Sequence, residues 1–162
     1  MKKIILFICG FLLIFSLGFS LDTKYKIIYS DNNSGKLNIN TATQEEMLRA
    51  GVASSYVFKI ISFRDIKGSI ESIEELERIS GIGAKTCEKL EKYFFIDEDD
   101  INLKSIDINK ADEKFLKYYG FSNKEIKAIN DYLSNGKIRN NKDLKKLISK
   151  RTYEKYKDLF RY

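Results

Sequence analysis

Proline, tryptophan and histidine are absent from the 162 residues, and cysteine occurs twice. Without proline the strongest helix breaker is missing, so long helical stretches are permitted. Without histidine the commonest general base and metal ligand is missing. Cys9 sits inside an apolar N-terminal run, which leaves Cys87 alone. A single thiol forms no internal disulfide. Cys87 also falls within a helical pattern, so it reads as a small buried apolar residue rather than a reactive thiol. The acidic pairs Glu45-Glu46 and Asp99-Asp100 fall at an expected helix start and in an expected linker. No spacing brings carboxylates together in the way a metal-dependent nuclease needs. These absences point away from an enzyme and call for no cofactor and no metal.

Apolar residues make up 43% of the chain and charged residues 32%, a balance that suits a folded rather than a disordered chain. The first twenty residues stand apart. Lys2 and Lys3 precede an apolar run from Ile4 to Phe19, and Gly18 and Ser20 are small residues suited to a cut after Ser20. That is the layout of a secretory signal peptide, or of an N-terminal anchor formed by residues 4–19 if it is retained. Either outcome places the remainder outside the cytoplasm. Beyond it the charge is uneven. Lys36 to Ile96 carries 9 basic and 9 acidic residues, Asp97 to Asp100 are four acids, and Lys104 to Tyr162 carries 16 basic and 8 acidic residues. A basic C-terminal half suits an anionic partner, although a solvated lysine coat has the same composition.

An internal repeat organises the chain. Leu37-Asn38-Ile39-Asn40-Thr41-Ala42-Thr43 resembles Ile106-Asp107-Ile108-Asn109-Lys110-Ala111-Asp112 at an offset of 69, which also carries Gly51 onto Gly120. With small gaps, Lys85-Thr86-Cys87-Glu88-Lys89 meets Arg151-Thr152-Tyr153-Glu154-Lys155. The expected organisation is a signal or anchor over 1–20, a linker over 21–36, a first unit over 37–96, an acidic linker over 97–104 and a basic second unit over 105–162. Three helix-start signals of the capping-box type occur, at Thr43/Glu46, Ser72/Glu75 and Ser122/Glu125. Apolar residues at helical spacing, such as Val57, Ile60 and Ile61, or Ile126, Ile129 and Leu133, complete an all-α reading. The expected helices are 44–50, 54–67, 73–80 and 84–95, then 110–119, 123–135, 142–149 and 151–160. Units of about 60 residues bury marginal cores, so the two are expected to pack together. Phe115, Tyr118, Tyr119, Tyr132, Tyr153, Tyr156 and Phe160 fit core positions better than stacking platforms.

The most informative segment is Ile79-Ser80-Gly81-Ile82-Gly83-Ala84-Lys85-Thr86. One helix is expected to end at Gly81 and another to begin at Ala84. The first N–H groups of the new helix lack internal acceptors and carry the positive end of its dipole. Gly83 has no side chain to hold an anion away from the backbone. Ile82 can anchor the turn inward, Lys85 can add charge and Thr86 a hydroxyl. None of these groups meets a base edge, so a nucleic acid held here would be held regardless of sequence. The same turn is also compatible with a plain helix-helix connection.

Leu37 to Thr43, the Gly51 turn and the Gly81–Thr86 hairpin together resemble the helix-hairpin-helix domain of ComEA-type DNA receptors, from about Leu37 to Ile96. The resemblance implies tandem helix-hairpin-helix units that bind DNA, double-stranded and without sequence preference, outside the inner membrane during natural transformation. A membrane-embedded uptake machinery is then a candidate partner. The backbone-binding positions it implies are Gly81, Ile82, Gly83, Ala84, Lys85 and Thr86, with Gly51, Ser54 and Ser55 at the first hairpin. That first hairpin departs from the family pattern, with Ala53 where a second glycine is expected. The second unit departs further, with Gly120-Phe121-Ser122-Asn123 and then Ile148-Ser149-Lys150-Arg151-Thr152. The alternative reading is an envelope scaffold that keeps the fold without binding DNA.

Overall fold

The computed structural model describes residues 35–162, so the signal or anchor call and most of the 21–36 linker lie outside the described residues. Helices carry the fold. Strand β1 (Leu37–Asn38) leads into α1 (Gln44–Arg49) and α2 (Ser54–Lys67). A 3-10 helix (Ile73–Arg78), α3 (Ala84–Glu91) and β2 (Phe94–Phe95) follow. After a 3-10 turn at Glu98–Asp100 come β3 (Ile106–Asp107), α4 (Glu113–Tyr118), α5 (Asn123–Leu133), α6 (Asn141–Leu144), α7 (Lys150–Tyr156) and β4 (Phe160–Arg161).

The four two-residue strands are additions to the all-α expectation. They form two parallel pairs, with Leu37 opposite Phe94 and Ile106 opposite Phe160. The expected helix 84–95 stops at Glu91 because the Phe94–Phe95 backbone turns to β1, where Ile39 N–H donates to the Phe95 carbonyl at 3.0 Å. The expected 151–160 helix stops at Tyr156 for the same reason, with Ile108 N–H donating to Arg161. Other ends also move. Helix 110–119 begins only at Glu113, behind the Asp112 cap, and 123–135 ends at Leu133. Helix 142–149 contracts to 141–144, and 73–80 is a 3-10 helix over 73–78.

The elements follow one another in two runs, β1 to β2 and β3 to β4, and each run closes on itself by the same device. The Asn40 side chain accepts from Ile70 N–H at 2.8 Å and donates to the Ile70 carbonyl at 3.0 Å. Asn109 does the same to Ile138, at 2.9 Å both ways. An asparagine amide thus imitates a strand partner for one buried peptide, which explains why this residue type stands at both positions. Two apolar clusters lie behind these clamps. One is built on Ile39, Met47, Ile60, Phe63, Leu76 and Leu90, the other on Ile106, Leu116, Ile129, Leu144, Tyr153 and Phe160.

The clusters touch. Tyr118 packs in the first cluster, its ring centre 4.5 Å from that of Phe63. The Tyr119 hydroxyl lies 2.8 Å from the Lys67 carbonyl and 2.6 Å from the Lys104 carbonyl. Arg78 Nη1 donates to the Tyr118 carbonyl at 2.8 Å.

Of the three capping boxes expected, two form. Thr43 and Glu46 exchange bonds, as do Ser122 and Glu125. Ser72 makes no side-chain cap bond. Its partner Glu75 is drawn inward, where it accepts from Lys67 Nζ, Arg78 Nη1 and Glu71 N–H. The Thr43 box is exposed and local, so Thr43→Ala is expected to lower unfolding free energy by about 1 kcal/mol in urea titration. No change would show that the Glu46 end of the box suffices.

Candidate nucleic-acid interface

Each hairpin of the first run joins two helical segments through a glycine in the left-handed region, φ 93° at Gly51 and 81° at Gly81. The apolar residue after each glycine turns inward: Val52 and Ile82 are both buried, each about 3% exposed. Ile82 therefore anchors its loop. The helix that follows starts at residue N-cap plus one, with Ala53 and Gly83 as the N-caps.

Those two caps supply no side-chain acceptor. Among the described residues, the N–H groups of Ala53, Gly83, Ala84 and Lys85 have no acceptor within the chain, and the Thr86 hydroxyl has no partner. Gly83 is exposed, and its φ of −111° and ψ of 177° are open to any residue. A Cβ placed there would meet nothing within 4 Å. Nothing inside the fold therefore asks for glycine at 83. What the missing side chain provides is access from outside to the N–H groups of an eight-residue helix.

Lys85 is exposed beside this opening, and Ser54 and Ser55 are exposed at the first hairpin. Sequence reasoning missed Lys59. Its Nζ donates to the Ser80 carbonyl at 2.8 Å and sits 2.8 Å from where a Cβ of Gly81 would be. This brings a cation from α2 to the start of the second hairpin. The only hint was helical spacing, since Lys59 follows Ser55 by four residues. Phe58 is 59% exposed on the same helix. Cys87 is buried, and burial, with nearby glutamates adding to it, raises its thiol pKa.

The second run places its hairpins in the same order but closes them. Ser122 stands where Ala53 does, and its Oγ accepts from Glu125 N–H. Ser149 stands where Gly83 does, and its Oγ accepts from Thr152 N–H. The Glu125 carboxylate then spans both hairpins. Oε2 accepts from Ser122 N–H and Ser122 Oγ, each at 2.7 Å. Oε1 accepts from Ser149 N–H and Thr152 Oγ1, each at 2.8 Å.

Burial alone would raise the pKa of Glu125, which is 8% exposed. The bonds from Ser149, Ser122 and Thr152 outweigh burial and hold it at about 2, against 4.5 ordinarily. A carboxyl depressed in the folded state stabilises the fold fully above its unfolded pKa and loses that contribution as pH falls through its folded pKa. The window runs from about pH 4.5 down to about 2, and the contribution is about 3 kcal/mol. Denaturation of the chain and of Glu125→Gln across that range checks it. A variant as steep in pH as the parent would assign the acid sensitivity elsewhere.

Residues 32–95 match the family described as the helix-hairpin-helix motif. ComE operon protein 1 of Bacillus subtilis is 43% identical over 65 residues, which cover 39% of this chain and 32% of that protein. The segment matches the helix-hairpin-helix motif and is similar to a third of that Bacillus protein. Endonuclease/exonuclease/phosphatase family domain-containing protein 1 of Homo sapiens is 37% identical over 59 residues, which are 36% of this chain and 10% of that protein. An uncharacterized protein of Haemophilus influenzae is 38% identical over 58 residues, or 35% of this chain and 52% of that protein. The chain thus spans about a third of the first relative, about half of the Haemophilus protein and a tenth of the large one. No solved structure matches the chain significantly. Both glycine hairpins and the open N–H groups described above fall within this matched segment, whereas the serine-capped hairpins lie beyond it.

Proposed function

We propose that the protein binds the DNA backbone without reading sequence, through the first-run hairpins, and serves outside the cytoplasm as a receptor for double-stranded DNA in natural transformation. The observation that carries this reading is the opening at Gly83. Unpartnered N–H groups of Gly83, Ala84 and Lys85, the Thr86 hydroxyl and the Lys85 ammonium gather where no side chain stands in the way. These groups suit a phosphate and offer nothing that distinguishes one base from another. The competence setting is supported by the likeness to the Bacillus protein. The extracytoplasmic setting is supported by the signal-like pattern of residues 1–20, and an uptake machinery in the membrane is the partner this role implies. The second run reads as a degenerate helix-hairpin-helix unit, supported by the shared asparagine clamp and parallel strand pair.

Fluorescence anisotropy of the full chain with a random-sequence duplex tests this. The expected result is binding that is indifferent to sequence and weakens as salt rises, with a log–log slope of about −0.9 for each phosphate neutralised. No retention even at low salt would turn the search toward a protein partner in the envelope.

A further inference from the structure

We propose that Glu125 is an internal stand-in for phosphate, which occupies the second run's anion seat and leaves backbone gripping to the first run alone. This rests on the phosphate-binding reading above. At the offset of 69, Ala53 corresponds to Ser122 and Tyr56 to Glu125; at the later offset of 66, Gly83 corresponds to Ser149 and Thr86 to Thr152. Among the described residues, the Ala53 N–H, Gly83 N–H and Thr86 hydroxyl have no hydrogen-bond partner. Their counterparts, the Ser122 N–H, Ser149 N–H and Thr152 hydroxyl, all end on one carboxylate. The same donor set thus faces outward in one run and is consumed in the other.

The chemistry of the two anions makes the substitution effective. A carboxylate and a phosphodiester both present charged acceptor oxygens to N–H and O–H donors. The carboxylate is tethered, so it needs no ligand concentration and no salt-sensitive association. It is nearly buried, so solvent and diffusing anions compete with it poorly. In the first run the corresponding residue is Tyr56, a phenol rather than a carboxylate, which packs against the apolar cluster. Carboxylate against phenol, together with the serine caps at Ser122 and Ser149, separates a closed seat from an open one.

The surroundings of the seat are cationic. Glu125 lines a cleft of about 690 Å³ together with Arg78, Lys124, Arg151 and Lys155. Arg78 and Lys155 are engaged by Glu75 and Glu71, whereas Lys124 and Arg151 are exposed and carry no ion pair among the described residues. Removing the carboxylate leaves convergent donors and two cations facing no anion. Glu125→Ala is thus expected to gain a site for a free phosphate or for the DNA backbone.

The test follows backbone amides by 15N NMR in the full chain and in Glu125→Ala, with inorganic phosphate and then a duplex as probes. In the unmodified chain the amides of Gly83, Ala84 and Lys85 should shift, while those of Ser122 and Ser149 stay in place. In Glu125→Ala the Ser122 and Ser149 amides should shift with phosphate. The thermal midpoint should also rise with phosphate by more than it does in the parent, and duplex affinity should increase severalfold. Shifts at Ser122 and Ser149 in the unmodified chain overturn the proposal, as does a folded Glu125→Ala chain blind to phosphate. If the variant does not fold, the unmodified chain's shifts decide by themselves. A duplex that moves neither set overturns the DNA reading instead, and the phosphate response of Glu125→Ala still decides the role of Glu125.

Discussion

Gly83→Asp should lose at least tenfold in duplex affinity, about 1.4 kcal/mol, while its fold stays intact or gains stability. The two effects have one cause. Position 83 is an N-cap with extended backbone and no neighbour for a Cβ. An aspartate there can accept from its own helix, as Asp112 does from Phe115 N–H at 2.7 Å. Because glycine is itself a tolerated N-cap, that cap adds only about 0.3 kcal/mol to folding. It also puts a negative charge and a side chain where a phosphate would lie, over N–H groups that it now consumes. Gly83→Ser separates charge from occlusion, because serine caps in the same way at Ser149 without charge. The serine variant should fall between parent and aspartate. Anisotropy titration beside urea denaturation reads both quantities. If Gly83→Asp binds as well as the parent, the grip lies in the lysines of the C-terminal half and the hairpin is only a turn.

The hairpin was legible in the sequence because its signals are local. Glycine, an inward isoleucine, a second glycine and a helix start occupy consecutive positions, and the structure buries Ile82 and leaves Gly83 open. The Thr43 and Ser122 boxes were legible for the same reason, each completed within four residues. What escaped depends on partners far along the chain. The Phe94–Phe95 strand needs Leu37, 57 residues earlier, and an apolar run alone continues equally well as helix. Glu125 reads as an ordinary box residue until its second oxygen is seen to reach Ser149, 24 residues later. Lys59 reads as a solvated helix lysine until the second hairpin is laid beside it. The Ser72 box failed because Glu75 is pulled into the interior by a lysine eight residues before it. No local pattern marks that lysine as buried.

Lys67→Met is expected to destabilise the protein by about 3 to 5 kcal/mol, the usual range for stranding one partner of a buried ion pair. Lys67 is fully buried, its ammonium 2.5 Å from Glu75 and 2.6 Å from Glu71. Methionine fills nearly the same volume, so the loss comes from charge rather than from a cavity. Glu75, itself buried, would keep Arg78 at 3.0 Å and Lys155 at 3.7 Å. Lys155 belongs to α7 and Glu75 to the 3-10 helix of the first run, so the cluster ties the two runs together and its loss should loosen them jointly. The contrast that isolates the mechanism is the double variant Lys67→Met, Glu75→Gln. With the carboxylate neutralised, little buried charge remains without its partner, and the double variant should recover part of the loss. Urea denaturation of the parent, both single variants and the double completes the cycle. A Lys67→Met cost below about 1 kcal/mol would show that Arg78 and Lys155 satisfy Glu75 without it. Additive single costs would show that Lys67 and Glu75 act on stability independently, despite their contact.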